Sequence, residues 1–299
     1  MEIIDFIYPN IERKNEQIVL CLGYFDGVHL GHQELIKNAK KVGYKVAVLT
    51  FDNSPAYILG KIDKNIYLTS VSDKAEYFEQ LGVDYLYLMH FGKEETLLTK
   101  DEFIENVIKV INPIKIHCGE DYQFGCRGEG DPKYLSRFFD VHVEPIYKLE
   151  NKKVASRDIV KAIQGKHPEI AAKLLGRPYR LNGLVVDGQK RGRTINFPTA
   201  NLELAYPYVY PAGGVYIGYA DVYGDVYKAI INVGTHPTIN PLAKPLIEVH
   251  LLDYSGNLYG VDIFVEFVSY IREEKTFESL EDLKAQLKKD EEVAKNTLK

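Results

Sequence analysis

Gly23-Tyr24-Phe25-Asp26-Gly27-Val28-His29-Leu30-Gly31-His32 is the stretch around which this 299-residue chain is organised. It follows the apolar run Ile18-Val19-Leu20-Cys21-Leu22 and precedes Gln33-Glu34-Leu35-Ile36-Lys37-Asn38-Ala39. The first run reads as a buried strand and the second, by its apolar spacing, as a helix. A strand, a glycine turn and a helix N-terminus together make an anion site, because unpaired N–H groups and the helix dipole face the ligand. Gly23, Gly27 and Gly31 allow close approach, and His29 and His32 can donate ring N–H groups to phosphate oxygens. A lone His-x-Gly-His carries little weight. The whole stretch at a strand-to-helix junction carries more, and it predicts that this half holds a nucleoside triphosphate.

Outward from that stretch, strand and helix patterns alternate. A helix over about 30–42 stops at Gly43, and strand 45–51 follows. A helical segment over 72–81 ends at Gly82, before strand 85–89. Thr99 and Glu102 form a capping box that opens a helix with Phe103, Val107, Val110 and Ile111 on one side. Strands 114–118 and 141–147 complete the half. Such alternation predicts a parallel sheet covered by helices. Ligands of these sheets sit outside the carboxyl ends of the strands, where both 23–32 and 119–131 fall. Helical spacing over 156–176 reads as a connector. Beyond it, short strands over 181–186, 214–222, 226–233, 247–253 and 261–271 recur between turns, as in an antiparallel barrel or sandwich. Ser279 with Asp282 starts a last helix with Leu280, Leu283 and Leu287 on one face, and the charged residues after Lys288 read as a solvated end.

The net charge is 37 minus 42, or −5. This mild acidity argues against a dedicated nucleic-acid surface. Cys21, Cys118 and Cys126 lack metal-ligand spacing and form no disulfide framework, which fits a reducing compartment. No signal peptide and no apolar run of ~18 residues is visible, so neither export nor a membrane span is expected. The chain reads as cytoplasmic. Its oligomeric state is not legible.

In the second half, Gly183-Leu184-Val185-Val186-Asp187-Gly188-Gln189-Lys190-Arg191-Gly192-Arg193 is a glycine-rich strand and loop. It runs into Thr194-Ile195-Asn196-Phe197-Pro198-Thr199-Ala200-Asn201. Successive amides near Lys190, Arg191 and Arg193 can form an anion nest. Thr199 and Asn201 alternate on an extended segment, so their side chains share a side. Their oxygens suit magnesium, although Thr-x-Asn alone is more often a turn.

The opening stretch resembles the signature of the prokaryotic FAD synthetase family, within the His-x-Gly-His nucleotidyltransferases. Cys118-Gly119-Glu120-Asp121-Tyr122-Gln123-Phe124-Gly125, continued by Arg127-Gly128-Glu129-Gly130-Asp131, is similar to that family's flavin- and nucleotide-binding segment. Pro198-Thr199-Ala200-Asn201 is similar to the signature of riboflavin kinases. It is followed in order by Gly214-Val215-Tyr216, Asn232-Val233-Gly234-Thr235-His236-Pro237-Thr238, Glu248-Val249-His250-Leu251-Leu252-Asp253, Leu258-Tyr259-Gly260 and Arg272-Glu273-Glu274-Lys275-Thr276-Phe277.

The resemblance implies an α/β plus β chain. A Rossmann-like nucleotidyltransferase domain with a parallel sheet would occupy 1–158, a helical connector 159–180, and a six-stranded antiparallel β-barrel kinase domain with a C-terminal helix 181–299. It implies two ATP-dependent, magnesium-requiring reactions: riboflavin to FMN in the barrel, and FMN to FAD with release of pyrophosphate in the first domain. Glu248 would be the general base of the kinase, with Thr199 and Asn201 on magnesium-ATP and Gly188, Gly192 and Arg193 along the nucleotide. Arg272 would contact the flavin phosphate or order the loop before Phe277. In the first domain His29 and His32 would bind and polarise phosphates. Gly23, Phe25, Asp26, Gly31, Asp121, Phe124, Ser156 and Arg157 would complete that site.

The family usually carries a Ser-Ser-Thr-x-Ile-Arg type segment before the connector. Here the residues are Val154-Ala155-Ser156-Arg157-Asp158-Ile159-Val160, which keep one serine and place valine at the arginine position. Arg157 can substitute for the missing cation, from another angle. Two alternatives therefore stay open: a kinase with an impaired first domain, and a flavin-binding sensor without turnover.

Overall fold

The computed structural model describes residues 1–187, 197–234 and 245–299. The chain divides between Ser156 and Arg157 into two units. In the first, the elements run β1 (Glu2–Phe6), β2 (Ile18–Leu22), α1 (Leu30–Lys40), β3 (Lys45–Phe51), α2 (Pro55–Ile58), α3 (Val71–Gln80) and β4 (Tyr85–Met89). Then come α4 (Lys100–Phe103), a π turn (Ile104–Ile108), α5 (Lys109–Ile111), β5 (Lys115–Gly119), α6 (Pro132–Leu135) and β6 (Val141–Glu144). A short hairpin, β7 (Lys148–Leu149) with β8 (Lys152–Lys153), closes the unit.

The six strands lie in the order β1-β4-β3-β2-β5-β6, and every pair is parallel. Strands β2 and β4, and residues 46–49 of β3, are continuously apolar because both faces are covered. Val19, Cys21, Val46, Val48 and Leu86 pack with Ile36 of α1 and Phe78 of α3. The alternate residues Leu20, Leu49 and Tyr87 pack with Phe103 and Val107. Strand β1 is absent from the sequence reading. It buries Ile4 and Phe6 and exposes Glu2, Ile3 and Asp5, so it lacks the continuous apolar run of the inner strands. The helix after Thr99 keeps its capping box, but the π turn rotates its face. Ile104 and Ile108 are buried where Val110 was expected to be. Strand β2 has β3 on one side and β5 on the other, so the winding reverses there, and a crevice opens beyond their carboxyl ends.

In the second unit, α7 (Ser156–Gln164, all but its first residue) and α8 (Pro168–Leu175) precede a closed antiparallel barrel. Gly176, with φ 77, caps α8 in the left-handed region. The strands are β9 (Tyr179–Val186), β10 (Ala200–Leu204), β11 (Gly214–Val222), β12 (Asp225–Gly234), β13 (Leu246–Leu251) and β14 (Asp262–Arg272), followed by α9 (Leu280–Thr297). Around the barrel they run β10-β13-β12-β11-β14-β9. Tyr223 and Gly224 both have positive φ, which makes the two-residue turn between β11 and β12 twist with its strands. The end of α9 is not merely solvated. Asp290, Ala294 and Leu298 are buried, whereas Leu280 is 58% exposed. The small Ala294 lets the helix approach Val215, Ile217 and Ile230 of the barrel.

Candidate active sites

A cleft of about 550 Å³ opens at the carboxyl edge of the parallel sheet, lined by the loops after β2, β5 and β6. Gly23, Phe25, His29, Gly31, His32, Asp121, Phe124 and Ser156 line it together. In the turn after β2, Gly27 takes φ 80 without steric cost, whereas Phe25 and Val28, with φ of 56 and 40, are strained. Such conformations persist only where their surroundings over-determine them. The buried Phe25 ring lies edge-on to Phe78 at 5.6 Å and to His32 at 5.1 Å. A Cβ on Gly23 would approach that ring to 3.0 Å, and one on Gly31 would come within 3.2 Å of the His29 ring. Glycine at these two positions therefore leaves room for the rings that shape the cradle.

His29 is the N-cap of α1, and its Nδ1 accepts the His32 N–H at 3.4 Å. A ring that accepts at Nδ1 carries its proton on Nε2 when neutral, so that nitrogen is the donor. The His29 and His32 rings stack 3.6 Å apart.

Asp26 does not line the cleft. Its carboxylate accepts from Leu68 N (3.0 Å), Thr69 N (3.3 Å) and Thr69 Oγ1 (3.3 Å). Gly27 N donates to the same Thr69 hydroxyl, and Ser156 Oγ donates to the Asp26 carbonyl at 2.9 Å. Asp26 thus ties the strained turn down, and Ser156 is attached to that turn directly. Burial pushes the Asp26 carboxyl up to about 6, against the opposing pull of Lys74 and these donors. Burial also lowers Lys74 to about 8, against the pull of Asp26 and Asp52. Its ammonium donates to Phe51 O at 2.9 Å and lies 4.8 Å from the Tyr24 ring centre.

Asp121 accepts from Lys153 Nζ at 2.6 Å, and both line the cleft. Lys153, on β8, is a cation that the sequence reading overlooked. It directly precedes the altered 154–160 segment. Phe124 is buried and packs on Phe103 at 5.5 Å. A Cβ on Gly130 would come within 2.5 Å of its ring. Arg157 is exposed on the first turn of α7, in the second unit.

In the barrel, register brings three polar residues into one row. Asn201 of β10 pairs with Glu248 of β13, which pairs with Asn232 of β12. Asn232 Nδ2 donates to Glu248 Oε2 at 3.4 Å. The neighbouring Ile231, Val233, Ile247 and Val249 are fully buried, so alternation turns the polar row to the other face. Asn201 is buried, while Thr199 and Glu248 are half-buried. His250 Nδ1 donates to Pro198 O at 2.7 Å, and its ring stacks on Phe197 at 3.5 Å. This fixes the entry to the Thr199 segment. Burial lowers the His250 pKa. Asn232 and His250 lie within the motif strings quoted above, but only strand register reveals what they touch. Arg272 is held by Asp290 of α9: Nε donates at 3.0 Å and Nη2 at 2.7 Å, while Nη1 donates to Glu273 O. Its guanidinium thus fastens the end of β14 to α9. Gly188, Gly192 and Arg193 lie outside the described residues, as do Lys190, Arg191 and Asn196.

The fold and these two constellations define a nucleotidyltransferase-like α/β unit followed by a closed-barrel unit. Family models match both: one for FAD synthetase over residues 11–158 and one for riboflavin kinase over 175–298. A Bacillus subtilis protein named bifunctional riboflavin kinase/FMN adenylyltransferase is 38% identical, covering 98% of this chain and 97% of its own. The Haemophilus influenzae protein of that name is 37% identical, covering 96% of each chain. A crystal structure from Streptococcus pneumoniae, described as a macrolide-efflux protein, superposes with a TM-score of 0.90 at 33% identity, over 98% of this chain and 99% of that one. The chain belongs to the bifunctional riboflavin kinase/FMN adenylyltransferase family. Among the described residues, no helix is long and apolar enough to cross a membrane.

Proposed function

We propose that this chain converts riboflavin to FMN in its barrel unit and FMN to FAD in its N-terminal unit, with ATP as co-substrate of both. In the first reaction the ribityl 5′-hydroxyl attacks the γ-phosphorus of ATP and ADP leaves. Glu248 accepts the hydroxyl proton, and Asn232 orients its carboxylate. Thr199 and Asn201 offer a hydroxyl and an amide oxygen, a hard donor set that fits magnesium. Bound there, the ion would offset phosphate charge. In the second reaction an FMN phosphate oxygen attacks the α-phosphorus of ATP and pyrophosphate leaves. His29 and His32 donate to the phosphates, and Lys153 offers an ammonium at the cleft wall whose charge Asp121 balances until a phosphate competes for it. No covalent nucleophile is needed, since positioning and charge stabilisation suffice.

One observation favours two activities over a kinase alone. Ser156, the residue kept from the altered segment, is hydrogen-bonded to the His-x-Gly-His turn itself. We place the boundaries of the units' functions at 1–158 and 181–299, joined by 159–180. The free cysteines, Cys21 and Cys118 among them buried, support a reducing cytoplasmic setting. The test is incubation with riboflavin, ATP and magnesium, with the flavins resolved chromatographically. FMN followed by FAD is expected. FMN that accumulates and, supplied as substrate, is never adenylylated would leave a kinase only. No product at all would leave a sensor.

A further inference from the structure

Strands β5 and β6 carry a group of side chains that neither reaction uses. Register pairs His117 with His142 and Gly119 with Glu144. Glu144 Oε1 lies 3.2 Å from His117 Nδ1 and 3.2 Å from His142 Nε2. One ligand atom from each of the three falls within 4.8 Å of the others. Two imidazole nitrogens therefore converge on a single carboxylate oxygen. Tetrahedral zinc with bonds of ~2.0–2.2 Å sets neighbouring ligand atoms roughly 3.3–3.6 Å apart, close to the two nitrogen–carboxylate separations, and rotation of the exposed His142 ring would draw the two imidazoles together around an ion. The other carboxylate oxygen, Oε2, accepts from Asn38 Nδ2 of α1 at 3.0 Å. Outer-shell bonds of this kind orient metal ligands. His117 is buried at 2% exposure, and among the described residues its Nε2 has no partner, so the hydrogen bonding of this ring is directed at Glu144. His142 is exposed and Glu144 borders the cleft, which gives an ion a way in.

We propose that His117, His142 and Glu144 bind one divalent first-row transition ion of the zinc class, with a fourth position open to water. Two imidazoles and a carboxylate suit such ions, whereas magnesium and calcium favour all-oxygen sets. The ion would join β5 to β6 and, through Asn38, to α1, the helix that His29 caps and whose first turn carries His32.

The test uses full-length protein stripped with a chelator, without nucleotide or flavin. Zinc uptake is measured by equilibrium dialysis, and cobalt(II) is titrated while its d–d absorption is followed. Wild type should take up one more zinc equivalent than His142→Ala and show the intense cobalt bands of a four-coordinate site, absent in that variant. His142 is exposed, so its loss should leave the circular dichroism unchanged. His29→Ala, which breaks the stacked His29–His32 pair, should bind as wild type does. Equal uptake by wild type and His142→Ala would overturn the proposal and leave His117, Glu144 and His142 as a hydrogen-bonded set only. Loss in His29→Ala with retention in His142→Ala would place the ion in the phosphate cradle and overturn it equally.

Discussion

Replacing Asp26 by asparagine tests how the phosphate cradle is held. The carboxylate sits among Leu68 N, Thr69 N and Thr69 Oγ1, yet burial still pushes it up from 3.8 to about 6. That rise of roughly 2 units corresponds to about 3 kcal/mol at 1.36 kcal/mol per unit. A folded-state pKa above the unfolded one means that the folded chain binds the extra proton between these values. The stabilisation is thus fully present below about pH 3.8 and is lost as pH rises through about 6. From pH 4.5 to 7.5 the wild type should lose about 2 kcal/mol through this group, since part of the effect already lies below pH 4.5. A side-chain amide cannot titrate in this range, so Asp26→Asn should lack this component, and Lys74, released from the pull of Asp26, shifts further down, which adds a gain of stability with rising pH and widens the difference between the two proteins. Hydrogen exchange of the β2 amides, corrected for intrinsic rates, reads the stability of the N-terminal unit alone, which is needed because two units need not unfold together. If both proteins lose the same stability between the two pH values, the carboxylate is not enclosed as described.

The other predictions concern the two reactions and the barrel. Glu248→Gln should lower FMN formation about 10²–10⁴-fold, as loss of a general base does, while FMN-to-FAD conversion measured separately is unchanged. His29→Ala should show the reverse. A hydrogen bond to a charged group is worth ~1.5–3 kcal/mol, so FAD formation should fall roughly 10–100-fold with kinase activity intact. Loss of both activities in either variant would contradict separate sites. Asp290→Ala leaves the Arg272 guanidinium without its carboxylate and should cost about 3–5 kcal/mol of barrel stability, read from exchange of the β14 amides. Retained protection there would mean that the pair contributes little.

Local patterns made most of the architecture legible. Apolar runs marked the inner strands, and short strands between turns marked the barrel. Strand β1 escaped because an alternating edge strand of five residues, with three exposed, looks like ordinary surface. The site was legible as motif strings but not as contacts. Asp26 and Thr69 are 43 residues apart, and nothing local says that one holds the other. Glu248 and Asn232 meet only through the pairing of β12 with β13, which depends on the connection between them. The capping of α1 was hidden for another reason: its N-cap is histidine, outside the usual set of serine, threonine, aspartate and asparagine.

The two sites are built on different principles, and this bears on the altered 154–160 segment. The barrel site is a row of side chains fixed by strand register, so losing one member removes a chemical group and leaves the frame standing. The N-terminal site is a backbone conformation, strained at Phe25 and Val28 and held by ties from outside the turn. There, a substitution matters chiefly if it cuts a tie. Ser156 keeps its tie to Asp26 O, and Lys153 already brings an ammonium to the cleft beside Asp121. Within the N-terminal unit the cleft therefore keeps an ammonium, paired with Asp121, and the strained turn that shapes the cradle stays anchored at both Thr69 and Ser156.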